Sequence, residues 1–342
     1  MSVDDQSGRG AFPWLQGEQQ RLMQARARGR LPTGLLIQAG LGTGGEELAR
    51  FAAQLALCHA STPACGVCAD CRRVAEGTHP DFTWVEPAED SKYIRVEQIR
   101  ELTQQLALTA HGGGASVAII SPADAMNANA ANALLKTLEE PRAGVMLVLV
   151  TAAPSQLPPT IRSRCQRLVV TPPSRAQSRS WLAQARPAVD WDGVLDVLGE
   201  APLRAVQVDP GEFNLLRKDT VAALAQARAG QLEAAATADR WVREERFDLR
   251  LACIEHWLGT RIDDWAAGAG AGASAGAPAA RPGRAGMPGV AAAERTPVTL
   301  LLRLLDRVYE LRALRNTSYN RALILEQFLW QLGRGTGTVA VA

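Results

Sequence analysis

At 342 residues the chain is long enough for two or three domains and a sizeable core. Its 47% apolar and 21% charged residues are ordinary for a globular protein, and a net charge of +2 does not by itself announce a nucleic-acid binder, though it leaves room for a basic face. No stretch reaches the roughly 18 consecutive apolar residues of a membrane helix, and the N-terminal MSVDDQSGRGAFPW lacks the basic-then-apolar order of a signal peptide. A cytoplasmic chain with no membrane partner is therefore expected.

In chain order, Gln19 to Arg30 reads as a basic helix, and Leu35 to Gln38 as a short buried strand. Glu46 to Cys58 is predicted helical from Leu48, Phe51, Ala52 and Leu55. A cysteine-rich segment follows. A strand over Asp81 to Glu86 and a helix over Val96 to Leu108 precede the turn at His111-Gly112-Gly113-Gly114. Val117 to Ile120, Val145 to Val150 and Leu168 to Val170 read as apolar strands. The helix Asn127 to Glu140 stands among them, stopped by Pro141. Apolar strands alternating with helices imply a parallel sheet covered on both faces. After Thr171-Pro172-Pro173 only helices are predicted, so the fold class is α/β followed by all-α. Residues 266–296 begin with an Ala/Gly/Pro/Ser tract too poor in apolar bulk to offset chain entropy, and a flexible insert is expected there. A helix from Thr296-Pro297 to about Leu314 follows. Asn316-Thr317-Ser318 are candidate caps for a last helix ending near Leu332.

The stretch IQAGLGTGGEEL, Ile37 to Leu48, has the outline of a phosphate-binding loop between strand and helix. In the working pattern G-x-x-x-x-G-K-[ST], backbone N–H groups hold phosphates, the lysine neutralises charge and the hydroxyl ligates magnesium. The corresponding residues here are Ala39, Gly44, Gly45 and Glu46. The turn is kept, while the cation and hydroxyl are gone, and Glu46 adds a negative charge where an anion should bind. A second element agrees. The strand Val117-Ala118-Ile119-Ile120 runs into Ser121-Pro122, where an ATPase of this class carries its metal-binding and water-activating acids. Asp124 lies too far along to substitute. No ATP is expected in this site.

Cys58-x6-Cys65-x2-Cys68-x2-Cys71 supplies four thiolates within one loop. In a reducing compartment that argues for a metal rather than disulfides. Structural zinc takes four tetrahedral ligands, often all sulfur. The rival is an iron–sulfur cluster, whose bacterial run would need a cysteine where Ala75 stands. Free thiols are the remaining alternative. His59 could compete as a ligand beside Cys58, but four thiolates already suffice and a core or surface role is expected for it, while Gly66 suits a loop that folds around an ion. Cys253 reads as a small buried apolar residue.

Asn132 to Pro141, the strand that follows, and Thr160-Ile161-Arg162-Ser163-Arg164-Cys165 make the reading specific. Together with the cysteine run and the two altered loops, they resemble the bacterial clamp-loader subunits of DNA polymerase III, an AAA+ family. The similarity is greatest to members that have lost both acid and lysine motifs while keeping Ser-Arg-Cys. Motif support covers residues 11–172. Beyond Pro173 the resemblance rests on helical character, and the family offers no counterpart to the Ala/Gly insert.

The resemblance implies a RecA-like AAA+ domain over 1–170 with a zinc module at 58–71. It further implies a helical lid over 171–212 and a helical collar over 213–335 carrying the insert. It implies a ring with one delta and three gamma/tau subunits, acting on primed DNA and the sliding clamp. Arg164 would be presented to the ATP of a gamma/tau neighbour. A permanently charged planar fork suits the oxygens of a transferring phosphoryl group. The same arginine could instead pair with a carboxylate of its own fold. By the same reading Cys165 packs inward, Thr151 holds the place of a polar sensor, and Lys136 is an interface or salt-bridge residue.

Two alternatives stand beside this one. The first is an active gamma/tau-like ATPase with an unusual loop. The second is a zinc-dependent nucleic-acid-binding protein that uses the arginines at 21, 26, 28 and 30.

Overall fold

The computed structural model describes residues 12–60, 64–89, 91–108, 114–187, 189–270, 297–313 and 320–334. The chain divides into two compact units after Val208. The first holds a parallel sheet of β1 (Gly34–Gln38), β2 (Phe82–Val85), β3 (Ser116–Ile120), β4 (Val145–Thr151) and β5 (Gln166–Val169), in the order β2-β3-β4-β1-β5. Successive residues of a strand face opposite sides of a sheet. Leu35, Ile37, Val117, Ile119, Val148 and Val150 thus build one core with helices α1 (Gln16–Ala27) and α2 (Gly45–Leu57). Leu36, Ala118, Ile120, Leu147 and Leu149 build the other with α4 (Val96–Ala107) and α5 (Ala128–Glu139). Two apolar faces are why these strands read as unbroken apolar runs.

Local signals set the helix ends. Asn127 caps α5 through Oδ1, which accepts from the Ala130 N–H at 2.8 Å. Gly44, at φ 99°, turns β1 into α2, and Glu46 and Glu47 complement the positive end of its dipole. Two helices were not foreseen: α3 (Ala69–Glu76) within the cysteine segment and the short α6 (Pro159–Arg164); α9 (Pro202–Ala205) falls in the stretch expected to be helical throughout. The basic helix lies at 16–27 rather than at 19–30, with Arg28 as its C-terminal cap. The turn expected at His111 to Gly113 lies outside the described residues. Helices α7 (Arg175–Ala185), α8 (Asp192–Leu198) and α9 complete the first unit, with Ser174 and Gln177 closing a reciprocal cap on α7.

The second unit is helical: α10 (Pro210–Arg228), α11 (Ala234–Arg243), α12 (Phe247–Gly270), α13 (Val298–Ala313) and α14 (Arg321–Arg334). Asp209 caps α10, so position 212, the expected lid boundary, falls in the first turn of a continuous helix. Trp241, Leu251, Leu258, Leu304, Val308, Leu325 and Phe328 form its core. Arg250 is 3% exposed. It donates to Glu244, to Asp219 at 2.7 Å and to Thr220 at 2.9 Å, and it stacks on Trp241.

Two expectations need correction here. Residues 266–270, assigned to a flexible insert, continue α12, because alanine is the strongest helix former and the helix is already nucleated. The rest of that insert lies outside the described residues. The last helix is capped by Asn320, whose Oδ1 accepts from the Ala322 and Leu323 N–H groups, while 316–318 lie outside the described residues.

Candidate metal centre and altered phosphate loop

The four cysteines come together. Cys58 Sγ lies 3.8 Å from both Cys65 Sγ and Cys68 Sγ, Cys65 Sγ lies 4.0 Å from Cys71 Sγ, and all four sulfurs fall within 4.8 Å of one another. A Zn–S bond near 2.3 Å places tetrahedral sulfurs about 3.8 Å apart. The separations are far beyond a disulfide bond. The backbone assists: the Cys68 N–H donates to Cys65 Sγ at 3.3 Å and the Cys71 N–H to Cys68 Sγ at 3.4 Å. Donation from the Val67 and Cys68 N–H groups lowers the Cys65 thiol to about 6, as a thiolate ligand requires. Burial pushes Cys68 and Cys71 up, the penalty that a bound cation would offset. Gly66, at φ 76°, provides the left-handed turn between the paired ligands. The residues fit zinc, with no open position for catalysis.

His59 is not a fifth donor. Its Nδ1 sits 3.2 Å from Asp70 Oδ2, and the second oxygen of Asp70 faces His79 Nε2 at 3.7 Å. His79 is held in turn by the Asp81 N–H, which donates to its Nδ1.

The phosphate loop is packed against residues of its own unit. Trp14 Nε1 donates to the Thr43 carbonyl oxygen at 2.8 Å, and Thr43 Oγ1 donates to Gly40 O at 2.7 Å. A Cβ built on Gly44 would stand 2.8 Å from Leu15 Cδ1. On Gly45 it would stand 2.6 Å from Ala39 Cβ, and on Gly42 it would stand 2.7 Å from Arg204 Cβ. The Leu203 N–H of α9 donates to Gly42 O. Phe12 and Trp14 pack with Trp181 of α7 in an aromatic cluster. Each glycine is thus required by close packing of protein on protein.

Glu46 Oε1 accepts a hydrogen bond from Ser121 Oγ at 2.8 Å. Two positions that would flank a magnesium ion in an ATPase are therefore joined directly. Asp124 does not reach them, since its Oδ1 accepts from Thr151 Oγ1 at the end of β4. Thr151 Oγ1 also accepts from the Ala153 N–H at 3.0 Å, so it serves the strand end. Burial pushes the neighbouring Glu47 carboxyl up, and the charge of Glu46 adds to the rise.

Arg164 ends α6. Its Nη2 lies 2.5 Å from Glu139 Oε1, and its Nη1 donates to Thr160 O at 3.0 Å. The pair is partly solvated, at 35% and 47% side-chain exposure. Cys165 faces inward, and burial lifts its thiol to about 11. Lys136 is exposed on α5. Sequence reasoning missed Trp14 and Glu139 as partners of the loop and of Arg164. Only the aromatic density of Phe12-Pro13-Trp14 hinted at the first.

Comparison with known proteins identifies the family. The family described as DNA polymerase III, delta subunit, matches residues 16–174. The delta-prime subunit of Pseudomonas aeruginosa is 37% identical over 235 residues, covering 67% of this chain and 71% of that protein. The chain belongs to the DNA polymerase III delta-prime subunit family. The delta-prime subunit of Escherichia coli is 36% identical over 175 residues, 51% of this chain and 52% of that protein. The tau subunit of Salmonella typhimurium is 35% identical over 139 residues, 40% of this chain and 21% of that protein. The chain thus spans about half the length of the first of these two relatives and a fifth of the second. No helix among the described residues is long and apolar enough to cross a membrane.

Proposed function

We propose that the chain is a non-hydrolysing subunit of the DNA polymerase III clamp loader. It braces the loader ring and offers Arg164 to the ATP of a gamma/tau neighbour while the clamp is loaded onto primed DNA in the cytoplasm. The observation that carries this reading is the Ser121–Glu46 hydrogen bond across the place where magnesium would be held, in a loop without its lysine. Phosphoryl transfer depends on that cation and that metal. An active gamma/tau-like ATPase is disfavoured on the same ground.

In this reading residues 1–170 form the AAA+ domain, the lid runs from 171 to the division after Val208 rather than to 212, and the helices of the second unit form the collar, with delta and gamma/tau subunits as ring partners and only a weak contact to the clamp. Cys58, Cys65, Cys68 and Cys71 hold a structural zinc. The Arg164–Glu139 pair is a resting state of the finger. Such half-exposed pairs contribute little, so phosphate oxygens of a neighbour are expected to displace Glu139.

The test is Arg164→Ala in the assembled loader. Hydrolysis at the one gamma/tau site that Arg164 serves is expected to fall roughly tenfold or more, so the loader's DNA-stimulated ATPase should drop by at least about a third, with subunit assembly unchanged by mass measurement. Normal ATPase in that variant would reject the role.

A further inference from the structure

The basic helix α1 has no part in the function proposed above. Arg21, Arg26, Arg28 and Arg30 follow one another closely, and no Asp or Glu stands between Gln19 and Gly45. The helix buries Glu18, Gln19 and Leu22. Arg21, Gln24 and Arg28 recur at i, i+3 and i+7, which lines them up in one stripe, and all three are exposed, as is Gln20. At a rise of about 1.5 Å per residue, the two arginines of the stripe stand about 10 Å apart along the axis. The chain then folds back on the helix end. The Gly29 N–H donates to Arg26 O at 2.9 Å and the Arg30 N–H to Ala25 O at 2.8 Å, with Gly29 at φ 63°. This turn keeps Arg26, Arg28 and Arg30 around the last turn of the same helix.

The helix dipole accounts for only part of this charge. A cation in the last turn complements the final carbonyls, but the effect fades within that turn, and Arg21 lies further back. Glu18, the one carboxylate of α1, is 6% exposed. Among the described residues no carboxylate lies within ion-pair distance of any of the four arginines. Like charges brought together cost free energy unless an anion meets them. Arginine and glutamine side chains are groups that hold the phosphate oxygens of DNA without reading its sequence. The stripe exposes no aromatic ring on which an unpaired base could stack, so it suits a duplex rather than a single strand. The choice of DNA over another polyanion rests on the family to which the chain belongs.

We propose that α1, through Arg21, Gln24, Arg26, Arg28 and Arg30, binds the phosphate backbone of double-stranded DNA without sequence preference. These arginines stand toward the C-terminal end of the helix, whereas Trp14 and Leu15, just before its start, pack on the altered phosphate loop. Arg164 takes no part, so binding by the lone chain is measured apart from the ATPase of the assembled loader.

The full chain is titrated into a fluorescein-labelled duplex of about 20 base pairs, read by anisotropy at about 50 mM salt. Saturable binding is expected, with a log–log salt slope of about −3.6 from four phosphate contacts. Arg21→Gln with Arg28→Gln should weaken it about tenfold and reduce the slope by about 2. Arg240→Gln with Arg303→Gln removes the same net charge from exposed positions on α11 and α13 and should leave the slope unchanged. Glutamine is nearly as good a helix former as arginine, so both variants should keep the parental Tm. Amide exchange over residues 20–30 of the unaltered chain should slow when the duplex is bound, a reading that needs no variant. No binding at low salt, unchanged exchange over 20–30, equal loss in the α11–α13 variant, tighter binding of oligo(dT) than of duplex, or displacement by poly-glutamate as readily as by unlabelled duplex would overturn the proposal.

Discussion

The cysteine knob and the phosphate loop stand close together in sequence and have diverged in opposite ways. In the knob both geometry and donors are present: four sulfurs converge and their flanking N–H groups are turned toward them. In the loop the backbone turn is intact, but its lysine and hydroxyl positions hold Gly45 and Glu46, and Trp14, Leu15 and α9 occupy the space around it. A motif can therefore outlast its chemistry when the fold itself needs the turn. Retained donors, not retained shape, mark the site that can still hold a ligand.

The largest effect expected from breaking this contrast is on the knob. Cys71→Ser removes a buried donor, and zinc content by metal analysis should fall from a single ion per chain to near zero. A ligand held at a thousandfold above its dissociation constant adds about 4 kcal/mol to folding stability, so a large loss of Tm should accompany it. A variant that kept its Tm and its zinc would mean the cluster is no metal centre. On the loop side, Gly45→Ala needs no ligand to do harm. Its Cβ would meet Ala39 Cβ at 2.6 Å and Val150 Cγ1 at 3.1 Å. Overpacking of this kind costs about 1–3 kcal/mol, despite the better helix propensity of alanine. Unchanged thermal stability would show that the glycine is not kept for packing.

What the sequence disclosed follows the same division. Strands β1, β3 and β4 were legible because burial on both faces leaves an unbroken apolar run. The cysteine cluster was legible because its four donors lie within one short segment, and so was the loss of the lysine at Gly45. The partners were not legible. Ser121 meets Glu46 across 75 positions and Trp14 meets Thr43 across 29, and no local pattern encodes such pairs. Helix α3 escaped notice because its cap is a cysteine sulfur, Cys68 Sγ, rather than a hydroxyl or carboxylate. Helix α6 is too short for periodicity to register.

Smaller effects sharpen the claim that the loop is kept for folding. Trp14→Phe keeps most of the ring contact with Trp181 but removes the Nε1–H that donates to Thr43 O. One buried carbonyl then loses its partner, for about 1–2 kcal/mol by chemical denaturation. Amide exchange in Gly40 to Gly44 should rise at the same time. An unchanged exchange rate would mean that Trp14 covers the loop without holding it.

The smallest change, Glu47→Gln, tests the field at this helix start. Burial and the nearby Glu46 hold the Glu47 carboxyl above its ordinary range. Folding therefore favours its protonated form. That contribution is complete below the ordinary carboxylate pKa and is lost as pH rises through the raised value. Glutamine carries no charge to desolvate, so the variant should melt slightly higher than the parent at about pH 7, with the difference shrinking toward about pH 5. A difference that stayed constant with pH would assign the effect to packing. A lower Tm at neutral pH would mean that the Glu47 carboxylate is stabilised by α2, whose N-terminal N–H groups favour an anion, more than burial penalises it.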